Sequence, residues 1–340
     1  MNQSFELRLR SMREWNGICF SLVGPIGVGK STWLKLLQKG DALSKELRRL
    51  TGNSKLRVSF LFEDTDEWER PVEGAPNGML QYFYEDPKTH GFTFQLYVFD
   101  SFVDTFWELV GREKPDVVVC ERFMTCQKIF ADLQPFDPVQ RMTYEKMWRK
   151  WTALVPAPKL VFRMETSNER RLMARVRRRA REGETPIQPR KGITRSASGV
   201  FLGGHSHEPA TDDSSSSSSV VIDDDFRRAM KASHAPSTSE VSIFQMDDVT
   251  EQSSSEEEPV TATEDGGGVT LEYQRKLLAG HRNAYPLGKS RPFDLPITIE
   301  TVAMDADPPY HTDEKLWKKQ VAWTAAHMAR VMRREGYQEL

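Results

Sequence analysis

The residues best suited to chemistry lie in the stretch "LVGPIGVGKSTW", Leu22 to Trp33. Gly24, Gly29, Lys30 and Ser31 complete the spacing G-x-x-x-x-G-K-[ST], with Pro25, Ile26, Gly27 and Val28 between them and Thr32 following. Glycines let a backbone wrap closely enough for its N–H groups to face phosphate oxygens. The lysine brings a mobile positive charge to the outer phosphates, and the serine hydroxyl is a ligand for Mg2+. With glycine at about 7 % of average composition, a chance match in a chain of this length is on the order of one in a hundred. The expected ligand is a nucleoside triphosphate, held by residues 24–32.

Further candidates close two apolar runs. "LRVSFLFE" ends in Glu63, and "DVVVCER" ends in Glu121 and Arg122. Phosphoryl transfer is mostly positioning and charge neutralisation, with a base wherever the acceptor is a hydroxyl. A phosphate acceptor is already an anion and needs a cation to hold it. A glutamate at position 63 therefore points to an alcohol acceptor, and the set favours a small-molecule kinase. A capping role for Glu63 and a structural Glu121–Arg122 pair remain the simpler alternatives.

These residues need a frame to bring them together. "ICFSLVG" before the loop reads as a strand, and "STWLKLLQKG" after it as a helix ending at Gly40. Leu56–Glu63, Asp116–Arg122, Lys159–Glu165 and Pro296–Met304 read as further strands, with helical patterns at Thr93–Gly111 and Val139–Leu154 among the intervening segments. Near-continuous apolar strands alternating with helices predict an α/β fold: a five-stranded parallel sheet flanked by helices. Ligands of such sheets bind beyond the carboxyl ends of the strands.

Composition bounds the setting. The 340 residues are 38 % hydrophobic and 28 % charged, without an apolar run long enough for a membrane span. Cys19, Cys120 and Cys126 are too few and scattered for a disulfide framework or a zinc site. The N-terminus shows neither the apolar core of a signal peptide nor transit-peptide composition, so a cytoplasmic location is expected, with nuclear and mitochondrial ones left open. The net charge of −2 conceals a split: Asp212 to Asp265 alone carries −11, leaving about +9 for the rest. From 185 to 268, tracts such as "DDSSSSSS" and "EQSSSEEEP" cannot bury enough apolar surface to offset ordering. The expected organisation is a catalytic domain of residues 1–184 plus 269–340, interrupted by a disordered acidic, Ser-rich insertion.

At this point the chain resembles the deoxynucleoside kinases of the cellular and viral type. "NGMLQYFYEDPKTHGFTFQLYVF" (Asn77–Phe99) is similar to that family's substrate segment, and "ERFMTCQKIFA" (Glu121–Ala131) to its E-R-S…I-F-A segment. Arg175, Arg179, Arg181 and Glu184 reproduce the family's R-x-x-x-R-x-R-x-x-E lid, and Val269–Tyr285 resembles the helix that follows it. The likeness spans about residues 16–184 and 269–335, and the long insertion is expected of a viral member more than a cellular one.

The resemblance implies a P-loop kinase with an Arg-rich lid that uses ATP and Mg2+ to phosphorylate the 5′-hydroxyl of a deoxyribonucleoside for salvage. It implies Glu63 as general base and Arg122 as the group that steadies the hydroxyl, with Lys30, Arg179 and Arg181 neutralising transition-state charge. Arg175 and Arg179 would close over the triphosphate, and Ser31 and Glu121 would hold magnesium. Gln95 would meet the base edge, Trp68, Phe94 and Phe130 would line the base site, and Tyr84 with Glu184 would hold the sugar 3′-hydroxyl. A homodimer is implied, with neither membrane nor nucleic acid as partner. Tyr84, Phe94, Phe99, Phe102 and Phe106 also fit a helix core, so about half of them are expected to touch no ligand. The seven arginines of Arg170–Arg181 also fit a solvated face, a nuclear-import signal or an RNA-binding strip.

Three departures from the family pattern matter. Phe102 stands where an Arg is usual, and Phe123, Cys126 and Gln127 replace the usual Ser and Asp in a stretch one residue short, which leaves the preferred base open. Asp64 stands where Pro is typical. The insertion follows the lid directly, so Glu264 or Asp265 could replace Glu184 at the sugar. A thymidylate-type kinase on the same fold, which Glu63 in place of a cation disfavours, and a silent scaffold protein remain the alternatives.

Overall fold

A computed structural model describes residues 14–179 and 269–337, apart from Val72, Pro309 and His311. The expected insertion, and with it Arg181, Glu184, Glu264 and Asp265, lies outside the described residues. The strands are β1 (Ile18–Val23), β2 (Val58–Leu61), β3 (Val117–Glu121), β4 (Leu160–Glu165), β5 (Gly288–Ser290) and β6 (Ile299–Asp305). They form one sheet in the order β2-β3-β1-β4-β6-β5.

β1 pairs in parallel with β3 and β4, β2 with β3, and β4 with β6. These are the five runs expected from the sequence. The expectation of five strands is corrected by a sixth, β5, which pairs antiparallel to β6 at the edge. Its three residues, Gly-Lys-Ser, carry no apolar pattern that could announce a strand. β1 and β3 are buried throughout, as central parallel strands covered on both faces must be.

The helices are α1 (Lys30–Gln38), α2 (Ala42–Thr51), α3 (Thr65–Glu69), α4 (Met79–Glu85), α5 (Pro87–Glu113), α6 (Met124–Asp132), α7 (Pro138–Thr152), α8 (Glu169–Arg179), α9 (Leu271–Ala284) and α10 (Glu314–Arg334). On one face of the sheet Trp33, Leu34 and Leu37 of α1 join Leu43 and Leu47 of α2 and Ala325 and Met328 of α10 over Phe20, Leu22 and Phe162. On the other, Phe99, Phe106 and Trp107 of α5 meet Tyr144 and Trp148 of α7 over Val118 and Cys120. α5 starts six residues before the apolar pattern suggests. Asp86 accepts the Thr89 N–H and Pro87 occupies the first helical turn, so capping rather than periodicity sets the start. Among the described residues no helix is long and apolar enough to cross a membrane.

Between β6 and α10, the buried Glu300 carboxylate holds Arg330 and Arg334, the latter at 2.6 Å. Burial pushes its carboxyl up, but the two guanidiniums outweigh that and hold it below the usual 4.5. A depressed carboxyl stabilises the fold above its unfolded value, and the contribution fades as pH falls through the folded one. Glu300→Gln should therefore cost about 1 kcal/mol at pH 7, because the arginines are half-exposed and screened. Thermal melts of the two proteins should converge below pH 4.5; an equal gap at pH 3.5 and pH 7 would show that the ion pairs contribute nothing.

Candidate active site

β1 delivers the chain at Gly24 into a loop that only glycine can make. Gly24, Gly27 and Gly29 have φ of 150°, 74° and 110°. A Cβ at Gly24 would lie 2.7 Å from the Met164 carbonyl oxygen, and one at Gly27 2.6 Å from Val176 Cγ2 of α8. The loop ends on the first turn of α1, where unpaired N–H groups and the helix dipole favour an anion. Lys30 Nζ donates to the Gly24 and Pro25 carbonyls at 3.2 and 3.1 Å, so its charge is folded back over the loop. Burial, then the nearby Arg122 charge, draws the Lys30 ammonium down to about 8. Ser31 Oγ donates to Glu121 Oε1 at 2.7 Å.

Arg122 follows β3 in the left-handed region, at φ 61°. Its N–H donates to the Leu22 carbonyl at 2.8 Å and its own carbonyl accepts from Ser21 Oγ at 2.9 Å. β1 thus holds it in a conformation that a side chain otherwise avoids. The guanidinium is buried, ion-paired with Glu63 and 4.1 Å from the centre of the Phe130 ring. Burial opposes its charge most strongly, but Glu63, Cys126, Glu121 and Tyr273 together outweigh it and keep Arg122 above its ordinary value. Glu121 responds the other way: burial and then the Glu63 charge push its carboxyl up, against Lys30, Ser31 and Arg122.

Two clefts meet here. The first, of about 540 Å³, is lined by Ile26, Glu63, Trp68, Tyr84, Phe94, Gln95, Arg122, Phe130 and Arg179, all named from the sequence. Its walls are aromatic: Trp68 meets Phe94 edge-on at 5.8 Å, and Phe94 stacks on Phe83 at 4.7 Å. The buried Gln95 Oε1 has no hydrogen-bond partner among the described residues. Of the five aromatics weighed above, Tyr84 and Phe94 line this cleft, whereas Phe99 and Phe106 belong to the core. Phe102 stacks on Phe106 beside them. Asp64 caps α3 by accepting the Glu67 N–H, so its departure from proline still starts the helix that carries Trp68.

The second cleft, of about 1230 Å³, is lined by Gly27 to Thr32, Glu121, Arg175 and Arg179. Arg175 donates to the carbonyls of Val28 and Ala306 at 3.2 and 2.9 Å, tying α8 to the loop. Arg179 lines both clefts. With two hard oxygen ligands beside a phosphate loop, Ser31 and Glu121 suit a magnesium ion whose remaining ligands are water and phosphate.

Several lining residues were not singled out in the sequence, although Trp33, Leu80 and Phe83 lie within stretches that were. Tyr273 of α9 and Leu80 and Phe83 of α4 join the first cleft, and Trp33 and Tyr310 the second, their rings 5.2 Å apart. All but Tyr310, which lies between β6 and α10, reach their places through helix packing. His281 supports Phe130 from behind, edge-on at 6.0 Å, and burial draws it down to about 3, so it is neutral.

The comparisons with known proteins point the same way. A deoxynucleoside kinase family model matches residues 20–190, half of the chain. A relative in Xenopus laevis, a mitochondrial deoxyguanosine kinase, is 25 % identical over 205 residues, covering 55 % of this chain and 74 % of that protein. With the phosphate loop, the parallel sheet and the facing clefts in place, the chain belongs to the deoxynucleoside kinase family.

Proposed function

We propose that this kinase transfers the γ-phosphoryl group of ATP to the 5′-hydroxyl of a deoxyribonucleoside, with Glu63 as general base. The observation that carries the reading is the meeting of the clefts: Arg179 lines both, Glu63 and Arg122 line the first, and Glu121 lines the second. The nucleoside base would lie flat among Trp68, Phe94 and Phe130, with its edge against Gln95. Tyr84, together with Glu184 of the lid, would hold the 3′-hydroxyl.

In the first step Glu63 accepts the proton of the 5′-hydroxyl as that oxygen bonds to the γ-phosphorus. The bond from the γ-phosphorus to the bridging oxygen breaks, and ADP leaves with the electron pair. Arg122 orients the attacking oxygen and Glu63 together. Lys30, Arg179 and Arg181 neutralise charge on the transferring group, which is where preorganised cations act most strongly. Ser31 and Glu121 would hold Mg2+, which would supply further neutralisation of phosphate charge when bound.

Glu63→Gln should lose at least about a hundredfold in kcat while ATP affinity persists, measured by turnover and calorimetry on the same preparation. Unchanged turnover removes Glu63 as the base. Incubation with Mg2+ and labelled ATP should place label on nucleosides. Label on thymidine monophosphate alone would make the protein a nucleotide kinase instead.

Lys30 adds a pH dependence. Empty, it loses its proton near pH 8, and bound phosphate favours the charged form. ATP affinity should therefore fall by up to about tenfold per pH unit above that value. Binding at pH 8.5 should take up protons, seen as a calorimetric heat that varies with the ionisation enthalpy of the buffer. Constant affinity from pH 7 to 9.5 would contradict it.

A further inference from the structure

Four carbonyls of the phosphate loop are held from outside by side chains. Lys30 takes those of Gly24 and Pro25, Arg175 of α8 takes that of Val28, and Gln274 of α9 takes that of Ile26. Lys30 and Arg175 also line the second cleft, whereas Gln274 lines neither cleft and has no part in the steps above.

Gln274 is 1 % exposed, and its Nε2 donates to the Ile26 carbonyl at 3.0 Å. A carbonyl can only accept, so the orientation of the amide is fixed, its nitrogen toward the loop and its oxygen away. That oxygen is buried without a partner among the described residues. Tyr273 and Leu277, beside Gln274 on α9, belong with Ile26 and Val176 to one apolar cluster. A half-paired amide is costly in such surroundings, and a leucine of similar size would fill the position without that penalty. Packing therefore does not account for a glutamine here. What the amide adds is its bond to the loop.

The peptide that Gln274 grips joins Ile26 to Gly27. The described residues contain no cis peptide bond, and in a trans peptide the C=O and N–H point in opposite directions within one plane. Fixing the Ile26 carbonyl toward α9 therefore turns the Gly27 N–H away from α9. Gly27 lines the second cleft, with φ of 74°. Glycine lets this peptide flip at little steric cost. A flip would aim a carbonyl oxygen at the triphosphate in place of an N–H.

We propose that Gln274 is a positioning residue for the phosphate donor: it holds the Ile26 carbonyl outward so that the Gly27 N–H faces the phosphates. This rests on the donor half of the reading above, ATP at the phosphate loop, and not on the identity of the acceptor. On the other side of Gly27, Val176 of α8 stands 2.6 Å from where a Cβ would lie. The helices that precede and follow residues 180–268 in the chain thus each give the loop one donor. Of the two donors, only Gln274 brings no charge of its own to the phosphates.

The test uses Gln274→Leu and, should a branched side chain fit poorly, Gln274→Met, which is unbranched like glutamine. Calorimetry with Mg2+ present measures Kd for ATP and for inorganic tripolyphosphate, which engages the loop without a base. Thermal melts without ligand report on the fold. Both variants should raise Kd for ATP and for tripolyphosphate by one common factor of about tenfold, the loss of one hydrogen bond to a charged group. The Tm should change little, because the Ile26 carbonyl loses its donor but the unpartnered amide oxygen is removed as well. In turnover assays KM for ATP should rise while KM for the nucleoside stays unchanged. Unchanged Kd for both ligands would make Gln274 a packing residue and overturn the inference, whatever the Tm. A Kd that rises for ATP alone would overturn it too, since the loop would then be intact. If wild type binds both ligands yet labels no nucleoside, the acceptor reading fails and this inference stands on the Kd values. If wild type binds neither, both fall.

Discussion

The constraint on which the site depends is a buried guanidinium. Arg122 is 5 % exposed, and a charge removed from water in this way persists only where partners replace the lost hydration. Glu63 and the face of Phe130 do so, and Ser21 and Leu22 pin its backbone. The remaining charges adjust around it: Lys30 is lowered by burial and by Arg122, and Glu121 is raised by burial and by Glu63. Lys30, Arg122 and Arg179 face Glu63 and Glu121, an excess of one positive charge. That excess is unfavourable without an anion and is relieved when a phosphate arrives, so the cost is set by the fold and repaid by the ligand.

Holding such charges close requires a rigid frame, and the parallel sheet provides one. β1 lies between β3 and β4, so the loop after β1 and the Glu121–Arg122 pair after β3 emerge side by side. β2, on the far side of β3, brings Glu63 to the same level. No strand has to deform to assemble them. Within the phosphate loop and the strand-end residues, left-handed backbone is confined to Arg122 and to glycines that tolerate it.

This explains which parts were legible in the sequence. The phosphate loop is a local pattern, and the five parallel strands are apolar runs, three of them closed by charged residues, so both the frame and the strand-end residues could be read directly. Short-range capping was less visible: α5 begins at Asp86 and Pro87, outside the apolar repeat, and β5 is three residues without hydrophobic alternation. Tyr273 and Phe83 were not legible at all. Their places depend on how α9 and α4 pack, and nothing in their own neighbourhoods marks them off from core residues. Gln127 stood out only as a departure from a familiar pattern; its place on the wall of the first cleft became visible once α6 was placed.

The same packing argument ties specificity to stability. α5 carries Phe94, Gln95 and Val98 to the cleft, and Phe99, Phe106 and Trp107 to the core against α7. One rigid helix therefore sets both the depth of the first cleft and the fit of the aromatic cluster against α7. Phe99 is fully buried and stacked on Tyr144 at 5.3 Å, so truncating it would leave a cavity that the closely packed interior could fill only by shifting α5. Such a shift would carry Gln95 with it. Substitutions within the slot itself face a partly open space and leave the helix where it is. The walls of the cleft are thus free to change at single side chains, while the helix that positions Gln95 is held by the core.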